Sequence, residues 1–169
     1  MGSMEVTEKI FARDENGRYK IESPLKGDEI VALAESILRE RVLHGDMIDS
    51  PKVMRQWLLT RISEKEHEVF FVIYLDNRHR VIAFEELFRG TIDGTSVHVR
   101  EIVKRVLHQN AAAVVVAHNH PSGDPEPSDA DCRLTRRIKD ALSLIEVRLL
   151  DHIVVGGSVA LSLAERGLI

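Results

Sequence analysis

Residues 111–131 read AAAVVVAHNHPSGDPEPSDAD, and this stretch decides how the rest of the chain is interpreted. Its first seven residues are small or β-branched and apolar, which predicts a strand buried on both faces. That strand runs directly into His118 and His120. Residues 121–127 hold three prolines and one glycine and therefore predict a rigid loop. Ser128 then begins a predicted helix.

The flanking sequence predicts strands and helices in alternation. Residues 69–75, VFFVIYL, form a continuous run of β-branched and aromatic residues, which predicts another buried strand. Residues 81–88 are expected to return as the second arm of a hairpin. Residues 148–155 predict a further buried strand, closed by Gly156 and Gly157 and followed by a short helix. Apolar residues at helical spacing also predict helices over residues 28–45, from Pro51 onward, over residues 99–107 and from Ser128 to about residue 145.

This alternation predicts an α/β fold with a mixed β-sheet flanked by helices. Residues 1–27 are polar and show no clear periodicity, which predicts a tail or loop. We therefore expect an N-terminal tail and helix in residues 1–45. The domain that carries both histidines would occupy residues 46–169.

Length and composition predict an ordinary soluble protein. The 169 residues suffice for a hydrophobic core, and the formal net charge of −4 gives no overall attraction to nucleic acid or acidic membranes. No apolar run approaches the ~20 residues of a membrane span, and the N-terminus carries no apolar signal segment. The single cysteine, Cys132, excludes an internal disulfide and fits a reducing compartment. We therefore expect a cytoplasmic protein without membrane partners.

The two histidines and a following aspartate predict a metal site. His118 and His120 are separated by one residue in a strand, so their side chains point to the same side. They lie at the end of that strand, where α/β folds usually build their sites. Asp131 lies in the first turn of the next helix. Two imidazoles and one carboxylate leave one tetrahedral position open, which is typical of catalytic zinc rather than structural zinc. Such a site activates a water for hydrolysis near neutral pH.

Each part of this pattern also has a simpler interpretation. A single His-x-His pair is weak evidence of metal binding. Ser128 and Asp131, three residues apart at a helix start, form a capping box by themselves. Cys132 is adjacent to Asp131 on the helix, and neighbouring helical residues diverge by about 100°, so both are not expected to reach one metal. The joint pattern of strand, histidine pair, rigid loop and capped helix is what makes the metal site specific.

The stretch HNHPSG from His118, with Ser128 and Asp131 after it, resembles the JAMM motif of JAB/MPN metalloproteases and, more narrowly, the RadC family. The resemblance covers roughly residues 46–169 and implies a JAB/MPN-like, cytidine-deaminase-like, three-layer domain. One departure is Val99, where the family usually has proline, and this should affect how a helix begins. The motifs that agree with the RadC family are Tyr74-Leu75-Asp76, Arg89-Gly90-Thr91, Arg100-Glu101 and Leu150-Asp151-His152.

The resemblance implies a role for each matching residue. The family's zinc ligands correspond to His118, His120 and Asp131, and its serine, which helps to stabilise the tetrahedral intermediate, corresponds to Ser128. A glutamate serves as general acid and base. By chain order it corresponds to Glu68, with Glu66 and Glu86 as alternatives. Apart from the resemblance, His152 and Asp151 lie on a neighbouring predicted strand, and their side chains are candidates for orienting the imidazole of a metal ligand.

Three functions follow as hypotheses. The first is a zinc-dependent hydrolase that cleaves a peptide or isopeptide bond in an unknown peptide or protein substrate. The second is a nucleic-acid-processing or accessory protein, as the DNA-repair label of the RadC family suggests. Residues 1–45 are too short for the helix-hairpin-helix element of longer RadC proteins, so direct DNA binding is only weakly expected. The third is a scaffold without catalytic activity, against which the intact ligand set argues.

Overall fold

The computed structural model describes residues 11–13, 19–21, 24–43, 51–90 and 97–169. The chain forms two compact units, Met1–Ile37 and Leu38–Ile169. A division near residue 45 stays a prediction.

The first unit contains a short hairpin and most of one helix. Strand β1, Phe11–Arg13, pairs antiparallel with β2, Tyr19–Ile21, so that Phe11 lies opposite Ile21. The expectation of a tail or loop over residues 1–27 is therefore wrong at these six positions. Each strand has three residues, too few for a periodic pattern to register in the sequence. Helix α1, Gly27–Leu43, agrees with the predicted first helix, whose last two expected residues lie outside the described part.

The described elements of the second unit are, in chain order, α2 (Pro51–Ile62), β3 (Val69–Leu75), β4 (Val81–Arg89), α3 (Val99–His108), β5 (Ala113–His120), α4 (Asp129–Ser143), β6 (Arg148–Gly156) and β7 (Val159–Ser162). Its strands form a five-stranded sheet with the order β4-β3-β5-β6-β7. Within this sheet β5 and β6 pair parallel and the other neighbours pair antiparallel, so the sheet is mixed, as predicted. Among the helices described, none has the length and apolar character needed to cross a bilayer.

Strand β7 replaces the short helix that was expected after Gly157. Residues 159–162 pair antiparallel with the end of β6, placing Ala160 opposite Val155. This edge strand makes its main-chain hydrogen bonds to β6. In the sequence, four residues carry too little periodicity to distinguish a strand from a helical turn.

Helices cover both faces of the sheet and give the three-layer α/β domain that the resemblance implies. On one face, Trp57 and Leu58 of α2 pack with Phe71 and other buried residues of the strands. On the other face, α3 and α4 pack against Phe70 and its neighbours. Adjacent phenylalanines in β3 therefore belong to different layers, as the alternation of side chains in a strand requires.

A β-bulge in β6 changes which of its residues face each layer. Val114 pairs with Leu149, but the next residue, Val115, pairs with Asp151, so Leu150 has no partner in this ladder. Leu149 packs in the layer of α3 and α4. The extra residue brings His152 to this same face and turns Asp151 to the opposite one.

Helix α3 begins at Val99, the position at which the RadC pattern usually has proline. The preceding N-cap residue, His98, makes no side-chain hydrogen bond to the helix start.

Gly156 ends β6 where the proline-containing loop of residues 121–127 crosses it. A Cβ atom here would lie 2.8 Å from the carbonyl oxygen of Gly123 and still closer to main-chain atoms of Asp124 and Pro125. Main-chain atoms cannot move aside as a flexible side chain can. Only glycine allows this loop to lie against the strand.

The Gly156→Ala variant should therefore lose about 1–3 kcal/mol of unfolding free energy, since the added methyl group overpacks a closed contact. Urea unfolding measures the change. Gly27→Ala is the matched control, because a Cβ atom there meets nothing within 4 Å. A Gly156→Ala protein as stable as the wild type would show that the loop of residues 121–127 does not lie this close to residue 156.

Candidate metal centre

Three side chains converge where β5 ends and α4 begins. One ligand atom from each of His118, His120 and Asp131 lies within 4.8 Å of the other two. The two histidine Nε2 atoms are 2.9 Å apart. The carboxylate oxygens of Asp131 lie 3.3 Å from Nε2 of His118 and 3.5 Å from Nε2 of His120. The structure thus brings together the three residues that the sequence predicts as ligands.

The capping box of α4 holds the carboxylate in place. Oγ of Ser128 accepts a hydrogen bond from the main-chain N–H of Asp131 at 3.1 Å. In return, Oδ2 of Asp131 accepts from the main-chain N–H of Ser128 at 2.7 Å and from its hydroxyl at 2.6 Å. The two interpretations of this pair are therefore compatible, because the carboxylate that caps the helix also faces the histidines.

His120 has a defined tautomer. Its Nδ1 lies 2.8 Å from the main-chain carbonyl oxygen of Asp124, in the rigid loop. A carbonyl oxygen only accepts, so Nδ1 carries the proton in neutral His120 and Nε2 presents a lone pair.

A third histidine, His152, contacts His118 on the side of the ring that faces away from the other two ligands. Nδ1 of His118 lies 2.8 Å from Nε2 of His152, which is completely buried. Burial lowers the pKa of His152 well below the ordinary value, and the neighbouring His118 lowers it further. His152 is therefore a neutral imidazole at physiological pH.

The centre concentrates acceptors. Burial alone would raise the pKa of Asp131, but hydrogen bonds from His118 and His120 in their protonated forms, and from Ser128, outweigh burial and hold it far below the ordinary range. When both imidazoles are neutral with their proton on Nδ1, an ionised carboxylate and two lone pairs face one another, and a proton or a metal ion relieves their repulsion. With metal–nitrogen bonds of about 2.0–2.1 Å, neighbouring tetrahedral ligands lie about 3.3 Å apart. The observed separations of 2.9–3.5 Å fit such an ion.

Glu68 shares a cavity with these ligands. The cavity, of about 330 Å³, is also lined by Phe70, Ser128, Leu134 and Arg137. Phe70 pairs with His118 across β3 and β5, and continuing this antiparallel register by two residues places Glu68 opposite His120. Glu68 thus falls on the metal-facing side of the sheet.

The two alternative glutamates are placed differently. Glu66 is exposed in the bend before β3 and does not line the cavity. Glu86 pairs with Phe71, whose side chain packs on the opposite face, and it forms ion pairs with Lys65 and Arg89.

Asn119, between the two histidines, was missed in the sequence analysis. Its side chain is buried, and its Oδ1 accepts from the main-chain N–H of Val69 at 2.8 Å. Its Nδ2 donates to the main-chain oxygens of Lys65 and His67 at 3.3 and 3.2 Å. Asn119 therefore holds the segment that carries Glu68. The sequence signal was a polar residue inside an otherwise buried strand, which requires a partner.

Asp151 does not reach the metal centre. It faces the opposite side of the sheet, where it accepts hydrogen bonds from the hydroxyl of Ser162 and the main-chain N–H of Ala164. Burial raises its pKa, although these hydrogen bonds oppose the rise. Of the two candidates for orienting a ligand imidazole, only His152 contacts one.

Comparisons with known proteins agree with this architecture. The family model of RadC-like JAB domains matches residues 48–168. A UPF0758 protein of Vibrio cholerae is 49% identical over 150 residues, covering 89% of this chain and 94% of that protein. UPF0758 protein Tgr7_0100 of Thioalkalivibrio sulfidiphilus is 54% identical over 140 residues, covering 83% of this chain. The chain spans only about three fifths of the length of the latter protein, 62%.

Metal affinity should fall as the pH is lowered. In the metal-free protein, the hydrogen bond to Asp131 raises the pKa of His120 above 6.5, although burial opposes the rise. A proton on His120 competes with the metal, so apparent affinity for added zinc should decrease as the pH falls through this raised pKa. Competition with a chromophoric chelator between about pH 8 and pH 5.5 measures the effect. Affinity that stays constant down to pH 6 would contradict it.

Asn119→Ala should loosen the segment before β3. The buried N–H of Val69 would lose its acceptor, which costs about 1–3 kcal/mol. Hydrogen exchange at the Val69 amide should become faster, and urea unfolding should show the loss. Asn77→Ala, in the exposed turn after β3, is the control and should change neither. Unchanged exchange at Val69 would show that Asn119 does not hold this segment.

Proposed function

The chain belongs to the family of RadC-like JAB domains, and from this membership and the metal centre we propose that it is a zinc-dependent hydrolase of the JAMM type. Its proposed reaction is hydrolysis of a peptide or isopeptide bond. One observation carries the proposal: three convergent acceptors face an open cavity that Glu68 also lines. The UPF0758 names of the relatives specify no activity, so hydrolysis rests on the chemistry of the site and the choice of a peptide or isopeptide bond rests on the resemblance to JAMM metalloproteases.

His118, His120 and Asp131 would hold the zinc ion. When bound, zinc supplies a Lewis acid that makes a water nucleophilic near neutral pH and polarises the carbonyl of the scissile bond. The donor set suits this ion, because two neutral imidazoles and one carboxylate are a common catalytic combination.

Glu68 is the proposed general base and general acid. It takes a proton from the attacking water and delivers it to the nitrogen of the leaving amine. Its place in the cavity that His118, His120 and Asp131 also line supports this assignment. Glu86 faces the other layer, and Glu66 lies outside the cavity.

Ser128 is proposed to donate a hydrogen bond to the developing oxyanion. Its hydroxyl now donates to Oδ2 of Asp131, which also accepts from the main-chain N–H of Ser128. The hydroxyl can therefore rotate towards the oxyanion while the carboxylate keeps one donor. A single donor of this kind contributes about 3 kcal/mol to transition-state stabilisation.

A second candidate function is nucleic-acid binding. The observation in its favour is the exposed basic residues of α4, Arg133, Arg136, Arg137 and Lys139. The net charge of −4 opposes it. DNA binding that falls steeply with salt concentration, without hydrolysis of any amide, would favour this candidate over the hydrolase.

Metal content per chain tests the first step of the proposal. Mass spectrometry should find about one zinc ion in the wild type and none in the His118→Ala, His120→Ala double variant. A wild-type protein that binds no zinc, even after zinc is added back, would exclude the hydrolase.

Glu68→Gln separates metal binding from chemistry. The variant should bind zinc as the wild type does but hydrolyse members of a peptide and isopeptide library about 10²- to 10⁴-fold more slowly. Glu86→Gln is the matched control and should retain activity, because its side chain lies in the other layer. The assignment of Glu68 is wrong if Glu86→Gln loses activity and Glu68→Gln does not.

A further inference from the structure

We propose that Thr135 and His152 are positioning residues that fix His118 in its metal-binding tautomer. They would do so through a hydrogen-bonded chain that begins at His118 and ends at the main-chain oxygen of Asp131. The inference rests on the metal site of the proposed function but requires no particular substrate.

This hydrogen-bonded chain consists of three short contacts in the layer between the sheet and α4. Nδ1 of His118 lies 2.8 Å from Nε2 of His152. Nδ1 of His152 lies 2.6 Å from Oγ1 of Thr135, and this hydroxyl lies 2.6 Å from the main-chain oxygen of Asp131. Thr135 and His152 are both completely buried, and the ring of Phe70 packs edge-on against His152. Water therefore has no access to the two contacts of His152.

The last acceptor sets the direction of the whole chain. A main-chain oxygen can only accept, so the hydroxyl of Thr135 donates its one proton to Asp131. The hydroxyl must then accept from Nδ1 of His152. With the proton of neutral His152 on Nδ1, its Nε2 accepts from Nδ1 of His118. The remaining nitrogen of His118, Nε2, is left as a lone pair that faces His120 and Asp131.

The opposite arrangement leaves unfavourable contacts. If His118 carried its proton on Nε2, its Nδ1 could only accept, and His152 would have to donate from Nε2. The one proton of the Thr135 hydroxyl would then have to serve both Nδ1 of His152 and the main-chain oxygen of Asp131, each 2.6 Å away, and one of the two contacts would have no proton. No water reaches His152 to relieve such a contact there. The three contacts each contain one proton only when every donor points from His118 towards Asp131.

The hydrogen-bonded chain joins two proposed metal ligands, His118 and Asp131. His120 is held in a different way. His120 meets a main-chain oxygen directly, whereas His118 reaches one through two side chains. That oxygen belongs to Asp131, itself a ligand. The tautomer of one ligand and the helix turn that carries another are therefore coupled through Thr135.

Nitrogen-15 NMR of the metal-free wild type gives the first test. At about pH 8, the imidazole nitrogen shifts should place the protons of His118 and His152 on Nδ1. A proton on Nε2 of His118 would overturn the proposal. This measurement needs neither zinc nor a substrate, so it remains decisive even if hydrolysis is never observed.

Variants at Thr135 give the second test. Thr135→Val keeps the shape of the side chain but removes the hydroxyl, so a rising fraction of His118 should carry its proton on Nε2. Zinc affinity should fall about 10- to 100-fold, the range for lost support of a ligand histidine. Thr135→Ser keeps the hydroxyl and should restore both the Nδ1–H tautomer and the affinity.

Ser162→Ala is the matched control for a lost buried hydroxyl. Ser162 lies on the opposite face of the sheet and donates to Asp151, so its loss should reduce stability without changing zinc affinity. Zinc affinity in Thr135→Val equal to that of the wild type would overturn the proposal, as would an equal loss in Ser162→Ala. If Thr135→Val does not fold, Thr135→Ser and the wild-type tautomers still decide the question.

Discussion

The structure of the domain depends on one electrostatic constraint, which is that two imidazole lone pairs and an ionised carboxylate must be held a few ångströms apart. Such groups repel one another in the absence of a cation, and each has water as a better partner in the unfolded chain. The protein therefore supports each ligand from its far side. Asp124 accepts from His120, Ser128 donates to Asp131, and His152 contacts His118.

Sheet register carries this arrangement from the ligands to Glu68. Pairing of Phe70 with His118 puts the chain before β3 opposite the end of β5, and Asn119 holds that chain through its side-chain amide. Two successive residues of β5 thus serve different purposes. His118 faces the metal centre, and Asn119 orders the segment from which Glu68 reaches the same cavity.

The parts of the fold that the sequence predicts are those with a strong local signal. The apolar run of residues 69–75 and the run before His118 could hardly be anything but buried strands. The ligands followed from their places at a strand end and a helix start. β1, β2 and β7 were missed because three or four residues carry too little periodicity. The roles of Asn119 and His152 depend on contacts with residues 50 and 34 positions away, which strand register creates and no local pattern encodes.

The bulge at Leu150 determines which residues of β6 face the candidate metal centre. Before the bulge the odd-numbered Leu149 faces α4, and after it the even-numbered His152 does. Regular pairing of the same sequence, without the bulge, would exchange the two faces. The carboxylate of Asp151 would then point towards His118, and the imidazole of His152 towards the layer of α2. Loss of the Leu150 codon would, by contrast, remove the bulge and leave both side chains on their present faces, because Asp151 and His152 would keep their pairing with Val115 and Val116. A one-residue deletion at this point of the gene therefore disturbs the metal-facing side of the strand less than a shift of register that leaves the sequence intact.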